Sequence, residues 1–323
     1  MSGHGRPRDD RHAALLAMLA LPLMFSFSAT RSFAADFSPA AHEMLQDAAL
    51  HDVVFVDPDR GWAVGDRGVI WQTEDGGRHW HLQSSGVDCL LASLCFINGD
   101  NGWAAGGWTH PYTHKTTGVI LRTRDGGRHW SREPAATLPA LRRIKFFNPD
   151  DGWALGSASA MYPSGVFRTS DGGRSWSPVP SGQSRGWLAG DFRDPRSGAV
   201  AGWDGNLAFV RQSDLRPSRT PSLGLRHLRQ LCLTEPTGGW LVGDGGLALT
   251  TNDGGLTWQA SPGSFPYDVA AQFDFRALAV HGPHCWIAGA PGTIVFYSPD
   301  GGNRWETFRT DQPLPIYGLT FFD

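Results

Sequence analysis

From residue 51 onward, short apolar runs alternate with turn residues, and the alternation repeats. Val53-Val54-Phe55-Val56 leads through a polar turn to Gly61-Trp62-Ala63-Val64-Gly65. A second turn leads to Val69-Ile70-Trp71, and Asp75-Gly76-Gly77 then leads to a segment around Trp80. Short β-branched and aromatic runs closed off by glycine and aspartate predict strands and tight turns, not helices. The one helix-like stretch is a short leader, Ala40 to Leu50.

The unit GWAVGDRGVIWQTEDGGRHW (Gly61 to Trp80) returns as GWAAGG…GVILRTRDGGRHW (Gly102 to Trp130) and GWALGS…GVFRTSDGGRSW (Gly152 to Trp176). It appears again as GWLVGDGGLALTTNDGGLTW (Gly239 to Trp258) and CWIAGAPGTIVFYSPDGGNRW (Cys285 to Trp305). A degenerate copy, GAVAGWDGNLAFVRQSD (Gly198 to Asp214), lacks the Asp-Gly-Gly turn. Four strands in about 45 residues, repeated radially, make the blade of a β-propeller. The expected fold is therefore all-β, a β-propeller of four-stranded blades over residues 51–323, with six blades visible. Ile316 to Asp323 matches the strand that opens each repeat, so it is expected to form the first strand of a seventh blade, incomplete or abbreviated there.

The turn has a physical logic. Asp75 can accept backbone amides of its own turn, Gly76 and Gly77 permit positive φ, and Trp80 supplies an apolar plate beneath. The equivalents are Asp125 with Trp130, Asp171 with Trp176, Asp253 with Trp258 and Asp300 with Trp305. Five separated copies of one residue do not make one active site, so a structural role is expected for all of them.

Composition adds 41 glycines, 22 prolines and 14 tryptophans, and a net charge of −3 that argues against a nucleic-acid partner. Residues 1–34 read as a signal peptide. Arg6, Arg8 and Arg11 precede an apolar run from Ala13 to about Phe27, and Ser32-Phe33-Ala34 offers cleavage after Ala34. Residues 35–50 form the leader. Export to the periplasm or the extracellular space follows, and no later segment is long and apolar enough to span a membrane. Cys89, Cys95, Cys232 and Cys285 would then meet an oxidising compartment; three pairings are open, and none has zinc spacing.

The S/T-x-D-G-G-x-x-W unit resembles the Asp-box of sialidases and sortilin-type receptors. With the strand pattern GWAVG…T-x-D-G-G-x-x-W around it, the chain resembles the photosystem II stability/assembly factor family. That resemblance implies a seven-bladed propeller without enzymatic activity. In photosynthetic hosts it implies a protein of the thylakoid lumen that binds a newly made reaction-centre subunit.

In a propeller, the loop entering each innermost strand lies beside the channel mouth. The residue eleven positions before Trp62 and its equivalents is His51, Ala92, Arg142, Leu188 and Arg229. In the sixth repeat, one residue shorter, it is Arg276, and in the terminal strand it is Tyr317. Arg143, Arg185 and Arg226 fall nearby. Residues 36–139 carry 8 Lys/Arg against 13 Asp/Glu, whereas 140–230 carry 13 against 7. Arg142, Arg143, Arg185, Arg226, Arg229 and Arg276 are therefore the candidate site, a basic sector that would clamp an acidic protein or peptide partner. The solvated surface of an arginine-rich chain is the competing explanation. A monomer without cofactor or catalytic residues is expected. His110 and His114 lack a third metal ligand. A sialidase-like glycoside hydrolase is the alternative, but no glutamate sits convincingly beside a channel tyrosine.

Overall fold

Each of the six repeats folds into one four-stranded antiparallel meander. The computed structural model describes residues 16–17, 45, 47–133, 138–182, 184–212, 214–234, 236–263, 265–310 and 313–320. Blade 1 comprises Leu50–Phe55, Gly61–Gly65, Ile70–Thr73 and His81–Gln83, hydrogen-bonded in chain order. The innermost strands of the next five blades are Leu90–Phe96, Leu141–Phe146, Trp187–Asp194, Leu228–Thr234 and Asp274–His281. The degenerate fourth repeat still completes its sheet, with Ser197–Gly202, Leu207–Arg211 and Asp214–Pro217 following the innermost strand. Its last hairpin turns at Gln212, at φ 59°, in place of the Asp-Gly-Gly turn.

A meander fixes which loops share an end. The connection between second and third strands and the connection into the next blade both lie at one end, here called the mouth. The Asp-Gly-Gly turns lie at the other.

The core is distributed between blades. Trp62 is fully buried and stacks on Phe96 of blade 2, with ring centroids 3.9 Å apart. Trp103 repeats this against Phe146 of blade 3 at 3.8 Å, and Trp153 against Phe192 of blade 4 at 4.6 Å. Burying such a side chain stabilises by about 1.5–3 kcal/mol, and every blade contributes one face to the layer on either side.

The five Asp-Gly-Gly turns share one hydrogen-bond pattern. The Thr73 hydroxyl donates to Asp75 and accepts the Gly77 amide, and Asp75 accepts the His79 amide at 2.8 Å. Gly76 and Gly77, at φ 71° and 86°, take a conformation that side chains disfavour. The indole of Trp80 donates to the Gly77 carbonyl at 3.0 Å, and Trp176, Trp258 and Trp305 do the same in their own turns. Trp130 differs, donating to Gln83 of blade 1.

These turns also tie neighbouring blades. The Trp62 indole donates to Gly126 in the turn of blade 2, and that of Trp103 to Gly172 in the turn of blade 3. Trp153 faces blade 4, which has no such turn, and its indole nitrogen is buried without a partner among the described residues.

Partial burial alone would raise the Asp125 carboxyl, but the hydrogen bonds from His129 and Thr123 outweigh it and hold it down at about 2. Asp171 is likewise at about 2, with burial opposed by Ser175 and Thr169. Stability from these carboxylates is complete above their ordinary value of 3.8 and is lost as pH falls through about 2. The urea midpoint should therefore drop between about pH 4 and pH 2. An Asp125→Asn/Asp171→Asn variant should show a flatter drop; an equally steep one would assign the acid sensitivity elsewhere.

Near the C-terminal end, Leu319–Thr320 touches the innermost strands of both blade 6 and blade 1. Ile316 and Leu319 pack on Ala277, Ala279 and Val295 of blade 6. The terminal strand thus occupies the seventh position around the ring, between the sixth and first blades. It pairs with Leu16–Ala17. Apart from that pair, the expected signal peptide lies outside the described residues, as does most of the leader; Leu50, placed in the helix-like leader, instead opens the first strand.

Candidate functional site: the channel mouth

The residue at the mouth of each blade is set by a break in the β-ladder. The register between first and second strands shifts between Leu50 and Asp52, Leu91 and Ser93, and Leu141 and Arg143. It shifts again between Trp187 and Ala189, Leu228 and Gln230, and Phe275 and Ala277. The residues left over are His51, Ala92, Arg142, Leu188, Arg229 and Arg276, the positions found by counting back from the tryptophans. A bulge of this kind re-aims the side chain of its extra residue. Glycine opposite the bulge makes room for it: a Cβ on Gly156 would lie 2.2 Å from the Ala140 carbonyl oxygen.

The second strand then delivers one more residue to the mouth. The amides of Asp66, Ser157 and Asp244 donate to the carbonyls of Ala49, Ala140 and His227, each two residues before a bulge. In blade 1, Asp66 meets His51 at 3.0 Å. In blade 5, Asp244 accepts from Arg229 through both oxygens, at 2.7 and 3.0 Å. In blade 3 the equivalent residue is Ser157, and Arg142 has neither an ion pair nor a hydrogen bond among the described residues. Arg142 keeps one face open to solvent. Partial burial by the channel walls lowers its pKa, and the like charge of Arg229 adds to this.

The other candidate arginines take different partners. Arg185 pairs with Asp204. Arg276 lies over the ring of Tyr317, 5.4 Å from its centroid, with Asp274 at 3.9 Å. Arg226 is exposed on the same face, its side chain unpaired among the described residues. Arg143 points down the channel instead, reaching Asp52 of blade 1 at 3.3 Å. Of the candidate arginines, Arg185 and Arg229 thus face carboxylates, Asp204 and Asp244, that a net charge count does not place. For Asp66 and Asp244 the signal was readable as an aspartate that directly follows the GW strand.

Below the mouth is a cavity of about 270 Å³ lined by Asp52, Cys95, Arg143, Lys145, Asp191 and Cys232 among others. Lys145 pairs with Asp191; burial alone would lower its pKa, and the carboxylate raises it. Asp52 and Asp191 also accept the backbone amides of Leu94 and Leu233, at 2.9 and 2.8 Å. Both carboxylates are committed as acceptors to cations and amides. The Asp52–Arg143 pair joins blades 1 and 3. Burial pushes the Cys95 and Cys232 thiols up to about 11 and about 12, so they stay protonated.

Outside the channel, His110 and His114 sit in the hairpin between Gly102–Thr109 and Thr116–Thr123. The His110 ring accepts amides of its own loop. Among the described residues no group of three or more His, Cys, Asp or Glu comes together to hold a metal, and no helix is long and apolar enough to cross a membrane.

Residues 40–134 and 224–319, together more than half of the chain, match the family described as Photosynthesis system II assembly factor YCF48. Photosystem II stability/assembly factor HCF136 of Arabidopsis thaliana is 35% identical over 83 residues, 25% of this chain and 20% of that protein. The matched stretch spans about a fifth of the length of such curated relatives. The solved structure of YCF48 bound to D1 peptide superposes with a TM-score of 0.63 at 22% identity, over 84% of this chain and 90% of that one. The GH74 enzyme of Niastella koreensis reaches the same TM-score at 13% identity, over 81% of this chain and 45% of that one, which shows the propeller fold alone.

Proposed function

The chain belongs to the Photosynthesis system II assembly factor YCF48 family, and from that premise we propose that it is a non-catalytic binder of an acidic peptide segment at the channel mouth. The observation that carries this reading is Arg142, a bulge residue with no carboxylate of its own beside a second guanidinium. An unpaired cation held beside a like charge gains from an incoming carboxylate what an arginine already paired to an aspartate does not. One solved relative is described as bound to a D1 peptide, and a segment of that subunit is the partner class we infer in a photosynthetic host. The thylakoid lumen would then be the compartment, and the periplasm or the exterior otherwise. The ion-paired channel carboxylates favour binding over glycoside hydrolysis, because a hydrolase needs one of its two carboxyls free to give up a proton.

The test is an anisotropy titration with a fluorescent D1-derived acidic peptide and its Asn/Gln-substituted counterpart. Binding is expected for the acidic peptide alone and should weaken as salt rises. Equal binding of both peptides, or of neither, overturns the proposal.

A further inference from the structure

Eight large apolar side chains are exposed among the described residues. Six of them, Trp108, Tyr112, Met161, Leu225, Tyr267 and Val269, lie at the mouth end, Trp108 at the end of a strand and the other five in connections. Tyr112 belongs to the loop between the second and third strands of blade 2, Trp108 to the end of that second strand, and Met161 to the matching loop of blade 3. Leu225 lies in the connection into blade 5, held at this end by the Gly205 amide, which donates to the Arg226 carbonyl at 2.7 Å. Tyr267 and Val269 lie on the short helix Tyr267–Ala270 before blade 6, anchored by the Gly246 amide on Phe273. Tyr112, Leu225 and Met161 are the most open, at 88%, 81% and 70%.

We propose that the mouth face docks on the surface of an anionic lipid bilayer through these loop tips. The tips come from different blades and blade connections around the mouth, not from one element. A protein partner concentrates its contacts in one contiguous, desolvated patch. The interfacial layer of a bilayer accepts aromatic and aliphatic side chains one at a time, with cations beside them. Lys115 and Arg226 lie on the same face, exposed and without a carboxylate partner among the described residues, and they complement anionic headgroups. Asp88 and Asp268 also lie at this end, so the apolar tips carry most of the attachment and the cations the lipid preference. Arg132 lies 5.7 Å from the Trp108 ring centroid and sets a further cation beside that indole.

The test is co-sedimentation with phosphatidylcholine vesicles with and without phosphatidylglycerol, comparing the chain with its Tyr112→Ser/Met161→Ser/Leu225→Ser variant. Both carry the same N-terminal apolar segment, so its contribution cancels. The triple variant is expected to bind at least about tenfold more weakly, with unchanged melting. Brominated lipids should quench the wild-type chain more than Trp108→Phe, which places this face, and not the N-terminus, at the lipid. Undiminished binding of the triple variant, or equal quenching of both chains, overturns the proposal. So does a triple variant that loses only the D1-derived peptide, which would assign the tips to a protein partner.

Discussion

Arg142→Glu is expected to weaken capture of the acidic peptide by about a hundredfold, with the melting temperature unchanged. Reversing a charge that is paired only in the complex removes the attraction and adds a repulsion, which together cost about 2–5 kcal/mol. Arg142 has no partner to strand among the described residues, so the fold is expected to lose nothing. Arg229→Glu would instead place a carboxylate against Asp244, which now receives both guanidinium bonds, and should lower stability as well. The sharper experiment is Ser157→Asp. It puts in blade 3 the acid that blades 1 and 5 already carry at that position, and should quench Arg142 from within. Capture is expected to fall about tenfold while thermal stability holds or rises, both read by anisotropy and calorimetry on one preparation. If Ser157→Asp binds like the wild type, Arg142 is not the anchor.

Trp103→Ala is expected to cost about 3–5 kcal/mol of unfolding free energy in urea titration. The indole is fully buried, stacks on Phe146 and is covered on its other side by Arg122, 4.8 Å from the ring centroid. Truncation would open a void between blades 2 and 3 and release the tie to Gly172. The indole nitrogens separate packing from hydrogen bonding. Trp103→Phe gives up a real bond, worth about 0.5–1.5 kcal/mol. Trp153→Phe removes a buried donor that has no partner among the described residues, and is expected to be neutral or stabilising. Equal losses in the two phenylalanine variants would mean that the bond to Gly172 contributes nothing.

Counting eleven residues back from Trp62 located the bulge because the first two strands and their turn keep one length in blades 1 to 5. Blade 6 needs ten because its turn contracts to Gly282-Pro283, between the paired His281 and His284. The missing turn of blade 4 was equally legible, and the orphaned Trp153 nitrogen is its physical echo. Charge summed over sequence could not show that Arg229 is answered by Asp244 while Arg142 is not, because that depends on which residues the two strands bring opposite each other. The Arg143–Asp52 pair was hidden for a similar reason: it joins blades 1 and 3, which no local pattern relates. The helix Tyr267–Ala270 is too short to leave a periodic signal.

The bulged position has a consequence for how such a ring can change. Its residue sits outside the ladder, so strand pairing places no demand on its side chain. Histidine, alanine, leucine and arginine already occupy that one backbone slot in different blades of a single chain. The mouth is therefore a row of interchangeable keys on a fixed frame. New partners can be acquired by single substitutions that leave the frame untouched.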